Sequence, residues 1–155
     1  MKGSAIVATP KNRFWENRSL EEFSTQEWES LCDGCGRCCL IKIEDENSHE
    51  LYYTSVVCRY HDSVECRCTC YVDRSRLVPD CIRVTPAVAR TEAWLPETCA
   101  YRLLAEGKPL YAWHPLISGT RESVHSAGIS VRDQVVSEEY IHTDDLIDHV
   151  VELGD

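Results

Sequence analysis

All ten cysteines of this 155-residue chain lie between Cys32 and Cys99; the first 31 residues and the last 56 contain none. A core can be filled with Val or Ala, so packing alone does not demand ten thiols, and packing would not confine them to one segment. In a secreted chain they would read as a disulfide framework. The N-terminus, Met1-Lys2-Gly3-Ser4-Ala5-Ile6-Val7-Ala8-Thr9-Pro10, lacks the apolar stretch of a secretory signal and runs into charged residues. Free thiols in a reducing cytoplasm are therefore expected, with metal ligation as the leading reading of the cluster.

Composition sets the outer limits. With 43% hydrophobic and 27% charged residues the chain is globular, and its length suits one domain with a real core. No apolar run reaches the ~20 residues that span a bilayer, so an integral membrane protein is excluded. A net charge of −10 disfavours nucleic-acid backbones and anionic membranes as partners. The acid excess is local, since residues 103–155 carry 3 basic and 10 acidic side chains. A solvated face is the simplest role for that part, and docking of a basic protein partner is the functional alternative. Among the thiols themselves, Arg37, Arg59 and Arg67 flank cysteines, where cations lower thiol pKa values and offset thiolate charge.

Residues 1–13 read as a mobile leader and 14–155 as a single domain, with its cysteine region at 32–99 and its acidic part at 103–155. Ser19-Leu20-Glu21-Glu22 and Ser24-Thr25-Gln26-Glu27 both have capping-box form, so a helix should begin near one of them. Phe23, Trp28 and Leu31 fall on its buried stripe, with Trp15 beneath. Leu40–Glu44 and Leu51–Val57 read as the arms of a β-hairpin around the polar turn 45–50. A turn centred between Ser48 and His49 places Cys39 opposite Cys58, where Cβ atoms stand roughly 4.5–5.5 Å apart. The stretch from Cys66 to Cys81 reads as irregular loop. A second helix is expected from about Pro96 to Gly107, with Cys99 in its first turn, where the positive helix end favours a thiolate. Ile129-Ser130-Val131-Arg132 alternates like a strand, and Thr143-Asp144-Asp145 caps a last short helix.

The run Cys32-Asp33-Gly34-Cys35-Gly36-Arg37-Cys38-Cys39 sets four thiols within eight residues, and its two glycines suit a ligand loop. One such loop brings several sulfurs to the ~2.3 Å distance zinc requires. Adjacent Cys38 and Cys39 point in different directions, so they serve two ions or one of them bridges. Cys58, Cys66, Cys68, Cys70, Cys81 and Cys99 are the distal donors, with Cys70 or Cys81 as the expected bystander. The run begins like a bacterial ferredoxin motif but then departs, because Cys39 follows at once and no Cys-Pro comes three residues later. Zinc ions, iron ions and an iron–sulfur cluster all remain open.

The chain resembles the CxxCxxCC cysteine-cluster family of bacterial proteins, associated with zinc or iron chelation, and within it the YcgN-like branch. The resemblance lies in Trp28-Glu29-Ser30-Leu31 leading into the cysteine run, then Cys58, Cys66-Arg67-Cys68 and Pro79-Asp80-Cys81. It continues through Glu92-Ala93-Trp94-Leu95-Pro96, Thr98 to Gly107, and Trp113-His114-Pro115-Leu116. It implies a bacterial cytoplasmic protein, and nine metal ligands: Cys32, Cys35, Cys38, Cys39, Cys58, Cys66, Cys68, Cys81 and Cys99. Cys70 is additional to that set.

Among the histidines, His114 and His125 read as packed, hydrogen-bonded residues before they read as ligands. His49, His61, His142 and His149 read as surface residues. Asp80, beside Cys81, is a turn residue or a hard-oxygen ligand that would suggest iron. No nucleophile elbow, P-loop, dinucleotide fingerprint or HExxH motif is present. The expected fold is a small α+β domain with an N-terminal helix, a β-hairpin and cysteine-rich loops organised by a metal centre. The leading function is zinc or iron binding. An iron–sulfur or iron-dependent oxidoreductase and an interaction module with structural zinc are the alternatives. Replacing Cys35 by Ser should lower bound metal and soluble yield, whereas Cys70→Ser should change little; metal content of the two purified variants checks the assignment.

Overall fold

The computed structural model describes residues 13–153, so the expected leader lies, but for its last residue, outside the described residues. Both capping boxes are used. Ser19 and Glu22 exchange hydrogen bonds around a 3-10 turn at Leu20–Glu22. Ser24 and Glu27 do the same at the start of helix α1, Thr25–Ser30. Phe23, extended between them, ends the first turn, and the Arg18 guanidinium grips Glu27 through two 3.1 Å contacts.

α1 packs against helices α3 (Pro86–Thr91) and α4 (Ala100–Ala105) over a core of Trp15, Leu20, Leu31, Ala89, Leu95, Ala100 and Tyr101. Two aromatic polar atoms find backbone acceptors here, whereas the buried Trp94 Nε1 finds none. Trp28 Nε1 donates to the Val84 carbonyl at 2.9 Å, and the Tyr101 hydroxyl donates to the Trp28 carbonyl at 2.8 Å.

Strand β1 (Leu40–Glu44) pairs antiparallel with β2 (Leu51–Val57), with the limits expected for the hairpin. The register holds a correction. Near the turn, Lys42 faces Tyr53 and Glu44 faces Leu51, which centres the turn one residue earlier than expected. At the open end Leu40 faces Val57, and the Cys58 amide donates to the Cys39 carbonyl at 3.0 Å. A bulge on β2 accounts for the shift and restores the expected facing of Cys39 and Cys58. The fully buried Thr54 repairs the ladder there: its hydroxyl donates to the Ile41 carbonyl at 2.7 Å and accepts from the Val56 amide at 3.2 Å. β2 also takes β5 (Val136–Ser137) in parallel and β6 (Val150–Val151) antiparallel.

Four local expectations are corrected. The second helix begins at Ala100, because Pro96 to Cys99 form a turn closed by the Cys99 amide on the Pro96 carbonyl. The 66–81 stretch is not all loop. His61–Asp62 (β3) and Arg67–Cys68 (β4) form a two-residue ladder, and a 3-10 turn at Tyr71–Asp73 leads into helix α2, Arg74–Leu77. Ile129, Ser130 and Val131 are buried consecutively and make no strand, since their amides go to Val124 and to Cys35 instead of a sheet edge. The last helix is 3-10, Thr143–His149, and its cap is His142, whose Nδ1 accepts from the Asp144 amide at 3.1 Å. Between α4 and β5 lie short helices α5 (Pro115–Ser118) and α6 (Ser123–Ser126). Among the described residues no helix is long and apolar enough to cross a membrane.

Thr54→Val keeps the shape of this side chain but strands the Ile41 carbonyl and the Val56 amide. A loss of about 1–3 kcal/mol is expected, read as a lowered denaturant midpoint with an unchanged slope.

Candidate metal centre

α1 ends at Leu31 and the chain turns directly into the cysteine loop. Gly34 and Gly36 both adopt φ of +79°, and Arg37–Cys39 close the loop as a 3-10 turn. The Asp33 Oδ1 accepts from the Cys35 amide at 2.9 Å, and the Cys35 sulfur accepts from the Arg37 amide at 3.4 Å.

Distant segments then pin the loop. The Cys35 carbonyl accepts from the Val131 amide at 2.9 Å and from the Cys66 thiol at 3.4 Å. The buried Arg37 donates to the Ile129 carbonyl at 2.8 Å and to the Thr98 hydroxyl at 3.3 Å. At the loop entrance, His114 Nε2 donates to the Leu31 carbonyl at 2.8 Å while its Nδ1 accepts from the Leu116 amide at 3.0 Å. His114 is thus the packed residue expected from its neighbours, and burial lowers its pKa. His125 is likewise bonded, to Ser130 Oγ at 2.6 Å.

These ties gather the thiols into two groups. Cys32, Cys35, Cys38 and Cys99 feel one another's charge and that of Asp33. Cys66 joins them through Cys38, Asp33 and its bond to Cys35. Cys39, Cys58, Cys68 and Cys70 form the second group, within which Cys68 Sγ lies 3.7 Å from Cys70 Sγ, and Cys81 stands toward both Cys38 and Cys68. The neighbours Cys38 and Cys39 join the two. The Cys39 thiol donates to the Cys38 sulfur, which lowers the Cys38 pKa and raises that of Cys39. Elsewhere burial dominates: it pushes Cys99 up to about 12 against the pull of the Tyr101 and Arg102 amides, and it pushes Cys32 and Cys35 up as well.

The charges beside the thiols differ from those the sequence suggested. Lys42 is the central cation. Its ammonium donates to the Cys38 and Leu40 carbonyls at 3.0 and 2.8 Å and sits 5.5 Å from the ring centres of both Tyr53 and Trp94. After the Cys39 hydrogen bond it helps to draw down the Cys38 thiol, whereas burial pushes Cys81 up against the pull of Arg74 and Lys42. The available signal was a lysine alone between Ile41 and Ile43 in an otherwise apolar arm. Arg37 is occupied with loop contacts, Arg67 faces solvent, and Arg59 pairs with Glu138 at 3.6 Å, leaving burial to push the Cys58 thiol up.

Two further polar groups stand at the loop. His61 is buried, not on the surface, and neither ring nitrogen has a hydrogen-bond partner; β3 tucks its ring against Gly36, which a sequence of polar turn residues conceals. Asp33 is buried with Oδ2 also lacking a partner, whereas Asp80 is exposed. His49 and His142 are exposed as expected, and His149 is half-buried.

Among the described residues no three His, Cys, Asp or Glu side chains stand close enough together to hold one ion, so loading a metal requires the thiols to draw inward. The donor set itself fits zinc or iron, with sulfur in excess, an unpartnered carboxylate oxygen and an unpartnered imidazole at one loop. A bound metal would supply the positive charge this set lacks and would deprotonate the thiols holding it.

A mixed α+β domain whose thiols converge from one loop and the segments folded over it defines a cysteine-cluster metal-binding protein. Residues 31–100, which contain all ten cysteines, match the family model CxxCxxCC, described as "Putative zinc- or iron-chelating domain". The chain belongs to the UPF0260 family of bacterial proteins. It is 55% identical to a UPF0260 protein of Rhodopseudomonas palustris over 89% of this chain and 82% of the relative. It is 54% identical to one of Cellvibrio japonicus over 89% and 94%, and 57% identical to one of Mesorhizobium japonicum over 81% and 85%. No solved structure matches.

A Cβ on Gly36 would lie 2.7 Å from Val131 Cγ2, 2.9 Å from His61 Cε1 and 3.1 Å from Cys66 Sγ, while one on Gly34 would meet nothing within 4 Å. Gly34→Ala should therefore carry only the left-handed backbone cost, about 1 kcal/mol. Gly36→Ala should add an overpacking cost of about 1–3 kcal/mol. Denaturant unfolding of the two metal-free variants tests the difference.

Proposed function

We propose that this protein is a bacterial cytoplasmic binder of zinc or iron. Its ligands are Cys32, Cys35, Cys38, Cys39, Cys58, Cys66, Cys68, Cys81 and Cys99, divided between two thiolate subsites. The observation that carries the division is the bonded Cys38–Cys39 pair. Cys38 acts on Cys32, Cys35, Cys66 and Cys99, while Cys39 is acted on by Cys58 and Cys68; Cys81 feels both Cys38 and Cys68. One member of the pair serves each ion, and the nine sulfurs, five on one side and four on the other, supply the four that tetrahedral zinc takes at each. Ten free thiols support a reducing compartment. A basic protein partner at the acidic C-terminal part is a second reading, favoured by exposed Tyr140 and Ile147 among Glu138, Glu139, Asp144, Asp145 and Asp148.

Elemental analysis and a visible spectrum of protein purified without oxygen test the proposal. About two ions per chain are expected, with Cys99→Ser and Cys58→Ser each removing about half the metal. If either variant loses all of it, the division fails. Protein free of metal would overturn the function itself. Iron with broad visible absorbance and acid-labile sulfide would reassign the centre to an iron–sulfur cluster and to redox chemistry.

A further inference from the structure

Asp33 follows the first cysteine of the motif and is only 6% exposed. Its carboxylate is half satisfied: Oδ1 accepts from the Cys35 amide at 2.9 Å, while Oδ2 is buried without a hydrogen-bond partner. Among the described residues Asp33 takes part in no salt contact of 4.0 Å or less. A buried carboxylate oxygen that accepts no hydrogen bond is unfavourable and calls for a partner. Lys42 is bound to the Cys38 and Leu40 carbonyls and placed over aromatic rings. Oδ2 is thus a buried acceptor without a donor, on the loop that carries Cys32 and Cys35.

We propose that Asp33 Oδ2 is an oxygen ligand to the metal ion of the first thiol group, making that half of the centre a mixed sulfur–oxygen site. The inference rests on the thiolate-centre reading above and goes beyond it by naming a ligand that is not a cysteine. An oxygen donor of this kind favours iron(II) or zinc over copper(I), which thiolates alone would take. The second half of the centre has no such carboxylate and keeps an all-sulfur donor set.

Asp33→Asn preserves the shape and the acceptor for Cys35 while removing the charge. The metal-free variant should melt above metal-free wild type, because an unpaired buried charge has gone. Its zinc and iron(II) affinity at the first group should fall by roughly 10–100-fold, with copper(I) affinity changed less than about threefold. X-ray absorption of wild type reconstituted through the first group, using Cys58→Ser to limit loading of the second, should show one oxygen among the sulfurs, absent in Cys58→Ser/Asp33→Asn. An all-sulfur shell in that wild-type loop, or a metal-free Asp33→Asn protein that melts lower, overturns the role of Asp33 and leaves the thiolate centre standing. Failure of wild type to take up any metal overturns both. The spectrum of the Asp33-containing protein decides the matter if the asparagine variant does not fold.

Discussion

The carbonyl of Cys35 is the point on which the cysteine loop hangs. It receives the Val131 amide and the Cys66 thiol, and through them the chain around residue 130 and the β3–β4 ladder are drawn to the same side of the loop. Arg37 extends the clamp to Ile129 and Thr98, the latter one residue before Cys99. A loop with two left-handed glycines has little intrinsic preference for one shape. Its shape here is set by partners between 31 residues (Cys66 to Cys35) and 96 residues (Val131 to Cys35) away in the chain.

That arrangement explains why the thiols stand together without already forming a coordination sphere. They are brought near by backbone hydrogen bonds and packing, not by attraction among themselves, and burial keeps most of them protonated. The hairpin supplies the rigid part. Thr54 repairs the bulge that turns Cys39 toward Cys58, and Lys42 on the facing strand places one positive charge against Cys38. The cysteines therefore stand on two scaffolds, the loop with the start of α4 and the hairpin end with the 58–81 excursion.

Local signals in the chain were read well where they were strong. The two capping boxes, the hairpin limits and the αL Gly107 after α4 depend on side chains within a few residues of one another. The start of α3 is encoded locally too, in Thr85 before Pro86, whose hydroxyl accepts from the Val88 amide at 3.2 Å. Ile129–Arg132 alternates like a strand yet forms none, because the Val131 amide goes to Cys35 and the Ile129 carbonyl to Arg37. His61 misled because Asp62 and Ser63 beside it look like a turn, and burial against Gly36 is a long-range fact.

The sequence by itself determined that this is a thiol-rich α+β domain of the cysteine-cluster type, since residue chemistry, the CxxCxxCC spacing and local capping need no tertiary information. Only the tertiary structure decided that Lys42 stands against the Cys38 carbonyl, and that Asp33 and His61 lie buried with unpartnered atoms at the cysteine loop. Those properties depend on which distant segments exclude water from the loop and which carbonyls and amides they occupy. No local pattern encodes that.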